Sequence, residues 1–80
     1  MRQALLVVSF GTTVPKAKRD IEGVEKALTA LVPGMDVFRA YTSSIIRKKL
    51  AGRGEPVFSV EEALEHLADQ GYTHVYLQPT

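Results

Sequence analysis

ALLVVSFGTT, residues 4–13, is the stretch that decides the fold of this chain. Its first half is apolar at every position, which is typical of a strand buried on both faces of a parallel sheet. Its second half is a small polar turn that leads into a charged segment beginning near Pro15. Open α/β sheets bind ligands just beyond the carboxyl ends of such strands. We therefore expect the ligand-binding edge of the sheet at Ser9–Thr13.

The rest of the chain alternates helices with strands. The predicted elements are a strand at Gln3–Ser9, a helix capped by Thr13 and ended by Pro33-Gly34, a strand at Met35–Ala40, a helix at Ser43–Ala51, a helix opened by Ser59 and Glu62 and ended at Gly71, and a strand at His74–Gln78 whose pairing Pro79 ends. Strands that alternate with helices pair in parallel through right-handed crossovers. Because the first strand is the most apolar, we place it centrally. The predicted fold is an α/β three-layer sandwich with a parallel sheet of order 2-1-3 flanked by helices.

Length and composition exclude several classes of protein. The 80 residues make one domain at most, and folding would bury only roughly 60% of the surface of the unfolded chain. The net charge of +1 gives no attraction to nucleic acid or membrane, and the lack of cysteine excludes disulfides and thiolate sites. No segment approaches the roughly 20 apolar residues of a membrane span. We expect a cytoplasmic protein, with residues 1–80 forming an incomplete α/β lobe.

Polar and aromatic residues follow all three predicted strands, at Ser9–Thr13, Tyr41–Ser44 and Gln78–Thr80. Hydroxyl groups, backbone N–H groups and aromatic faces suit a flat ligand with a polar rim. The alternative is that Ser and Thr only cap the helices that follow, which requires no ligand. The first loop lacks both the phosphate-binding and the dinucleotide-binding glycine patterns, although a phosphate at the start of the first helix stays open.

Two further groups of residues could carry chemistry. The densest basic cluster lies in residues 47–53 and could meet ligand carboxylates, although a solvated helix face is the commoner explanation. His66 and His74 have no second ligand at metal-binding spacing, so we predict neither as a metal ligand nor as a base. The pairing of a nucleophile with a base is also missing near Ser9 and Ser43.

The whole chain resembles the anaerobic, class II cobaltochelatases of cobalamin biosynthesis. The resemblance lies in three segments, taken in order: Leu5–Thr12, Phe38–Ser43 with Ile46–Leu50, and Ala63–Pro79. It implies two similar α/β lobes with the tetrapyrrole sirohydrochlorin in the cleft between them. It also implies an activity, the insertion of Co²⁺, or Fe²⁺ in some relatives, without ATP.

Carried over residue by residue, the resemblance implies two substrate-binding loops. Ser9, Phe10, Gly11 and Thr12 match the first cleft loop, and Tyr41, Thr42 and Ser43 match the second. The metal-binding histidines and their acidic partner are expected beyond Thr80. The resemblance therefore implies an N-terminal portion that is inactive by itself, without catalytic or metal-binding residues and without a resident cofactor.

The expected partners are sirohydrochlorin and either the remainder of the chelatase or a second copy, so that a homo-oligomer stays open. Two other functions remain open at this point. One is a non-enzymatic module of flavodoxin-like topology that holds a phosphate or flavin at Ser9–Thr13. The other is a structural lobe whose exposed sheet edge pairs with another subunit.

Overall fold

The computed structural model of the protein describes residues 2–79. Its elements are β1 (Gln3–Ser9), α1 (Pro15–Leu31), β2 (Asp36–Tyr41), α2 (Ser44–Gly52), α3 (Val60–Asp69) and β3 (His74–Pro79). The three strands are parallel and stand in the order β2-β1-β3, with helices beside them. The predicted α/β fold and the strand order 2-1-3 are therefore confirmed. Thr80, which the sequence places beside the third strand end, lies outside the described residues.

β1 is the centre of the sheet and of the core. Leu6 lies in register with Phe38 of β2 and with Leu77 of β3. Ala4, Leu6 and Val7 have no solvent exposure. The continuous apolar run of β1 follows from this position, because successive side chains point to opposite faces and both faces are covered.

The face of the sheet that contacts α3 has the tighter packing. Leu6, Ala40 and Ala63 form the buried cluster there, surrounded by the partly buried Val8, Phe38, Val60 and Val75. Helix α3 contributes Ala63 and Leu67, which are both buried. Leu64, which the helical pattern predicts to be buried, is 39% exposed.

The opposite face, covered by α1, is packed more loosely. No residue of α1 is fully buried, and Leu31 is 75% exposed. A small apolar hollow of about 140 Å³ lies between the helix and Val7. Helix α1 is instead tied to β2 by an ion pair, in which Nε and Nη2 of Arg39 donate to the two carboxylate oxygens of Glu25 at 2.7 and 2.6 Å. This bidentate geometry raises the pKa of Arg39.

The predicted second strand (Met35–Ala40) and second helix (Ser43–Ala51) each lie one residue before the observed β2 and α2, and two further boundaries also differ from the structure. The N-cap of α1 is Val14 and not Thr13, because Pro15 at the first helical position disfavours helical backbone at the residue before it. The Thr12 hydroxyl accepts a hydrogen bond from the Val14 N–H at 3.0 Å. β3 continues to Pro79, which lies in register with Val8. A proline is compatible with this position because β3 is an edge strand, where the missing N–H need not break a ladder bond.

The ends of α3 agree with the sequence pattern. The Glu62 N–H donates to the Ser59 hydroxyl at 3.1 Å, and the Ser59 N–H donates to the Glu62 carboxylate at 3.0 Å, so the predicted capping box is present. Gly71 has φ +84° and directly follows the C-cap residue Gln70. Glycine suits this place because other residues adopt such an angle only with strain.

The contrast between two leucines of α3 tests the core. We expect Leu67→Ala to lower the free energy of unfolding by about 3 kcal/mol, since it removes a fully buried side chain. Leu64→Ala makes the same chemical change three residues away at a half-exposed position, and should cost less than about 1 kcal/mol. Urea unfolding followed by circular dichroism measures both. Equal losses would contradict the assignment of this face to the core.

The capping box also predicts a pH dependence. Its hydrogen bonds, first of all the one from the Ser59 backbone, lower the pKa of Glu62 from its ordinary value of 4.5. A carboxylate with a lowered folded-state pKa contributes stability above its unfolded pKa and loses it as the pH falls through the folded-state value. The stability difference between wild type and Glu62→Gln should therefore shrink below about pH 4.5. Thermal melts from pH 7 to pH 3 measure it, with Glu61→Gln as the control, and a constant difference would contradict the prediction.

Candidate functional site

The two predicted cleft loops meet at the carboxyl edge of the sheet. The Thr42 N–H donates to the Ser9 carbonyl at 2.8 Å, and the Ser43 N–H donates to the Phe10 carbonyl at 3.1 Å. The parallel pairing of β1 with β2 thus continues into the loops by main-chain bonds. The structure therefore brings the predicted loop residues 9–12 and 41–43 together into one surface.

The first two residues of the first loop differ sharply in exposure. Phe10 is 68% exposed although it is a large apolar side chain, and it lies at the edge where β1 ends. Ser9 is buried, and its hydroxyl finds no hydrogen-bond partner within residues 2–79. Buried hydroxyls without partners are uncommon because desolvation costs roughly 1–3 kcal/mol. The exposed aromatic ring and the buried hydroxyl without a partner mark this loop as a candidate functional site.

Gly11 is required by a close approach to Tyr41. It has φ +108°, and a Cβ atom at this position would lie 2.7 Å from Cδ2 of Tyr41. The Tyr41 side chain is only 1% exposed, so it forms a floor beneath the glycine. The assignment of Tyr41 to the binding site stays a prediction, and its burial gives it a supporting place beneath the loop surface.

An arginine braces each loop through a main-chain carbonyl. Nη1 of Arg47 donates to the Tyr41 carbonyl at 2.7 Å and to the Thr42 carbonyl at 3.3 Å. Nη1 of Arg53 donates to the Thr13 carbonyl at 3.1 Å. The sequence indicated only a basic cluster in residues 47–53. Its arginines hold backbone, whereas its two lysines are exposed.

The hydroxyl groups of the loops divide between capping and exposure. The Ser43 hydroxyl accepts from the Ile46 N–H at 3.2 Å and so caps α2. The Thr12 hydroxyl accepts from the Val14 N–H, as described above, and remains partly exposed. Thr42 is exposed at the edge. The capping function considered from the sequence is therefore real for Ser43, and it leaves Thr12 and Thr42 accessible to a ligand.

The ion pair of Arg39 with Glu25 was missed by the sequence reasoning. It lies below the first loop, on the α1 side of the sheet, where Arg39 and Tyr41 line the same small hollow. Alternation along β2 was the available signal, because it places Arg39 and Tyr41 on one face. The carboxylate partner could not be chosen from sequence, since α1 also offers Glu22 and Asp20 on its turns.

No metal centre is formed by the residues that the structure describes. Within residues 2–79, no three His, Cys, Asp or Glu side chains come together in a way that could hold an ion. The His66 ring stacks at a tilt on Phe58, with ring centroids 5.0 Å apart, and His74 lies beside the Thr73 hydroxyl at the other end of the sheet. No helix in the described part of the chain is both long and apolar enough to cross a bilayer.

The contact of Gly11 with Tyr41 yields a prediction with a control of opposite sign. Gly11→Ala should lower the free energy of unfolding by about 1–3 kcal/mol, because its Cβ meets the ring and its φ is strained. Gly23→Ala, inside α1 with no atom within 4 Å of the new Cβ, should raise it by about 0.5–1 kcal/mol. Urea unfolding of both variants tests this. A stabilising Gly11→Ala would refute the proposed packing.

Comparison with known proteins finds a matching family and relatives whose matched segments include these loops. The model of the cobalt chelatase (CbiK) family matches residues 3–80. The sirohydrochlorin cobaltochelatase of Salmonella typhimurium is 44% identical over 80 residues, which is 98% of this chain and 30% of that protein. The sirohydrochlorin cobaltochelatase CbiKC of Nitratidesulfovibrio vulgaris is 29% identical over 77 residues, 96% of this chain and 27% of that protein.

The chain thus spans about three tenths of the length of these relatives. The family match extends from the start of β1 to the last residue of the sequence, and so includes both predicted cleft loops and all three strands. The resemblance noted from three segments is confirmed along the entire fold. The chain belongs to the cobalt chelatase family.

Proposed function

We propose that this chain forms one wall of the tetrapyrrole cleft of a sirohydrochlorin cobaltochelatase. The observation that carries the proposal is the exposed Phe10 at the joined ends of β1 and β2, with the accessible hydroxyl residues Thr12 and Thr42 beside it. An aromatic face with hydroxyl groups around it suits a flat apolar macrocycle with a polar rim.

The proposed division of labour within the two loops follows from burial. Phe10 packs against the macrocycle, and Thr12 and Thr42 donate hydrogen bonds to its rim. Gly11 lets the loop lie directly on Tyr41, which supports it from below. Ser9 and Ser43 shape the loop backbone, since one is buried and the other caps α2.

The chemical step requires residues beyond this chain. Insertion of Co²⁺, or Fe²⁺, exchanges two pyrrole N–H protons for the metal ion, and we propose that it proceeds without ATP. A base that accepts those protons and ligands that deliver the metal are needed. Consistent with the resemblance, we propose that histidines and an acidic residue in the remaining part of the full-length enzyme supply them. The tetrapyrrole is then held between the two parts.

The outer side of β3 supports an interface with that remaining part. β3 is an edge strand, and its large side chains Tyr76 and Leu77 are about half exposed on opposite faces. An open edge with apolar residues on both faces is suited to pairing with further polypeptide. We propose that the remainder of the chelatase occupies it. Pairing with a second copy is the other outcome, which light scattering of the 80-residue chain would reveal.

A hybrid enzyme tests the proposed function. The 80-residue chain alone should not insert Co²⁺ into sirohydrochlorin, whereas its fusion to the remaining part of the Salmonella enzyme should do so, as followed by absorbance. In the fusion, Phe10→Ala should weaken substrate binding by about tenfold through the loss of aromatic contact. Leu31→Ala removes an equally exposed apolar side chain far from the loops and is the control.

Two outcomes would contradict the proposal. One is robust metal insertion by the isolated chain. The other is tight binding of flavin mononucleotide, titrated in parallel, without binding of sirohydrochlorin, which would favour the flavodoxin-like binding module considered from the sequence.

A further inference from the structure

A hollow of about 290 Å³ lies between the first loop and the end of α2. Its lining consists of Thr12, Thr13, Pro15, Lys18, Leu50, Arg53 and Glu55. A smaller hollow of about 130 Å³ shares Thr12, Lys18, Leu50 and Glu55 with it and extends to Tyr41. None of the roles assigned above uses Lys18 or the side-chain hydroxyl of Thr13. The hollow opens beside the proposed cleft loop.

The charges around this hollow favour an anion. Lys18 and Arg53 line it, and Glu55 is the single carboxylate in the lining. Nζ of Lys18 lies 3.7 Å from Oε1 of Glu55, and both side chains are about half exposed. An exposed pair at this distance is worth little, so an incoming anion can displace Glu55 from the lysine at small cost.

Hydrogen-bond donors remain available in the same place. The Thr12 hydroxyl accepts from the Val14 N–H, which leaves its own proton for another acceptor. Arg53 uses Nη1 for the Thr13 carbonyl, and its other N–H groups make no hydrogen bond within residues 2–79. A guanidinium, an ammonium and a hydroxyl around one hollow form a donor set suited to carboxylate or phosphate oxygens.

A third hollow, at the same sheet edge, is less favourable for an anion. It has about 360 Å³ and is lined by Thr42, Arg47, Ser59, Val60 and Glu61. There the single cation faces a single carboxylate, and Arg47 already holds two carbonyls of the second loop. Of these two hollows, the one at Lys18 and Arg53 has the excess of positive charge.

We propose that the hollow between the first loop and α2 is an oxyanion site, in which Lys18, Arg53 and the Thr12 hydroxyl bind a carboxylate or phosphate group. The group comes either from the rim of the tetrapyrrole or from a separate small anion. The first case rests on the proposed function, and the second does not.

Amide chemical shifts of the ¹⁵N-labelled chain, titrated with inorganic phosphate and with acetate at constant ionic strength, test the site. We expect saturable shifts at Thr12 and Thr13. Lys18→Ala should weaken binding by about three- to tenfold, whereas Lys16→Ala, which removes the same charge from an exposed position outside the hollow, should change it less than about twofold. Thermal melts confirm that both variants are folded.

A change of opposite sign separates binding from a loss of structure. Glu55→Gln removes the competing carboxylate and should strengthen binding by about threefold, whereas Glu65→Gln on the exposed side of α3 should not. Shifts that do not saturate overturn the proposal. So do equal effects of Lys18→Ala and Lys16→Ala, which would indicate general charge screening.

Titration of the fusion enzyme with sirohydrochlorin identifies the source of the oxyanion. If phosphate competes with sirohydrochlorin and Lys18→Ala weakens both ligands, the occupant is a carboxylate of the ring. If Lys18→Ala weakens phosphate binding alone, the site takes a separate anion. Saturable phosphate binding without any binding of sirohydrochlorin would refute the proposed function and leave the oxyanion site in place.

Discussion

The parallel pairing of β1 with a strand on each side is the interaction on which the rest of the structure depends. It buries Ala4, Leu6 and Val7 completely and sets β2 and β3 in register. Because the strands run the same way, the carboxyl ends of β1 and β2 reach the same edge, and the loops after them meet. A register shift of one residue would turn the core side chains of β1 to the opposite faces and separate these loops.

Helix α2 connects the core to the loops at both of its ends. Its first turn provides Arg47 to the second loop, and the residue that caps its last turn, Arg53, reaches the first loop. The buried Leu50 lies between them and anchors the helix. The nine-residue helix therefore acts as a strut that sets the distance between the two loops. Arg47 and Arg53 therefore hold the loop backbone, and only their remaining N–H groups are available to a ligand.

The sequence predicted the framework well because the framework depends on local patterns. The apolar run of β1 identified the central strand, and the spacing of Ser59 and Glu62 located the start of α3. The start of α1 was wrong by one residue, because the prediction chose a hydroxyl residue as the N-cap, whereas the helix begins at Pro15 after Val14 and has no side-chain cap. Which site residues touch a ligand is still a prediction.

Features that depend on tertiary contacts were beyond the sequence. No sequence pattern indicated that Tyr41 is buried beneath Gly11, or that Glu25 and not a neighbouring acidic residue pairs with Arg39. The loose packing of α1 was hidden as well, since its apolar spacing is that of an ordinary buried helix. Periodicity reports which face is apolar, and it does not report how closely that face is covered.

The main-chain hydrogen bonds between the two loops have a consequence for how such a surface can diverge. The Ser9 and Phe10 carbonyls accept from the Thr42 and Ser43 N–H groups, so the loop shape does not depend on which side chains stand at positions 10 and 42. Those side chains can therefore be exchanged during evolution without altering the scaffold, and selectivity for a ligand can drift there. Gly11 cannot be exchanged in this way, because any larger residue would meet the Tyr41 ring, so we expect glycine to be retained at this position.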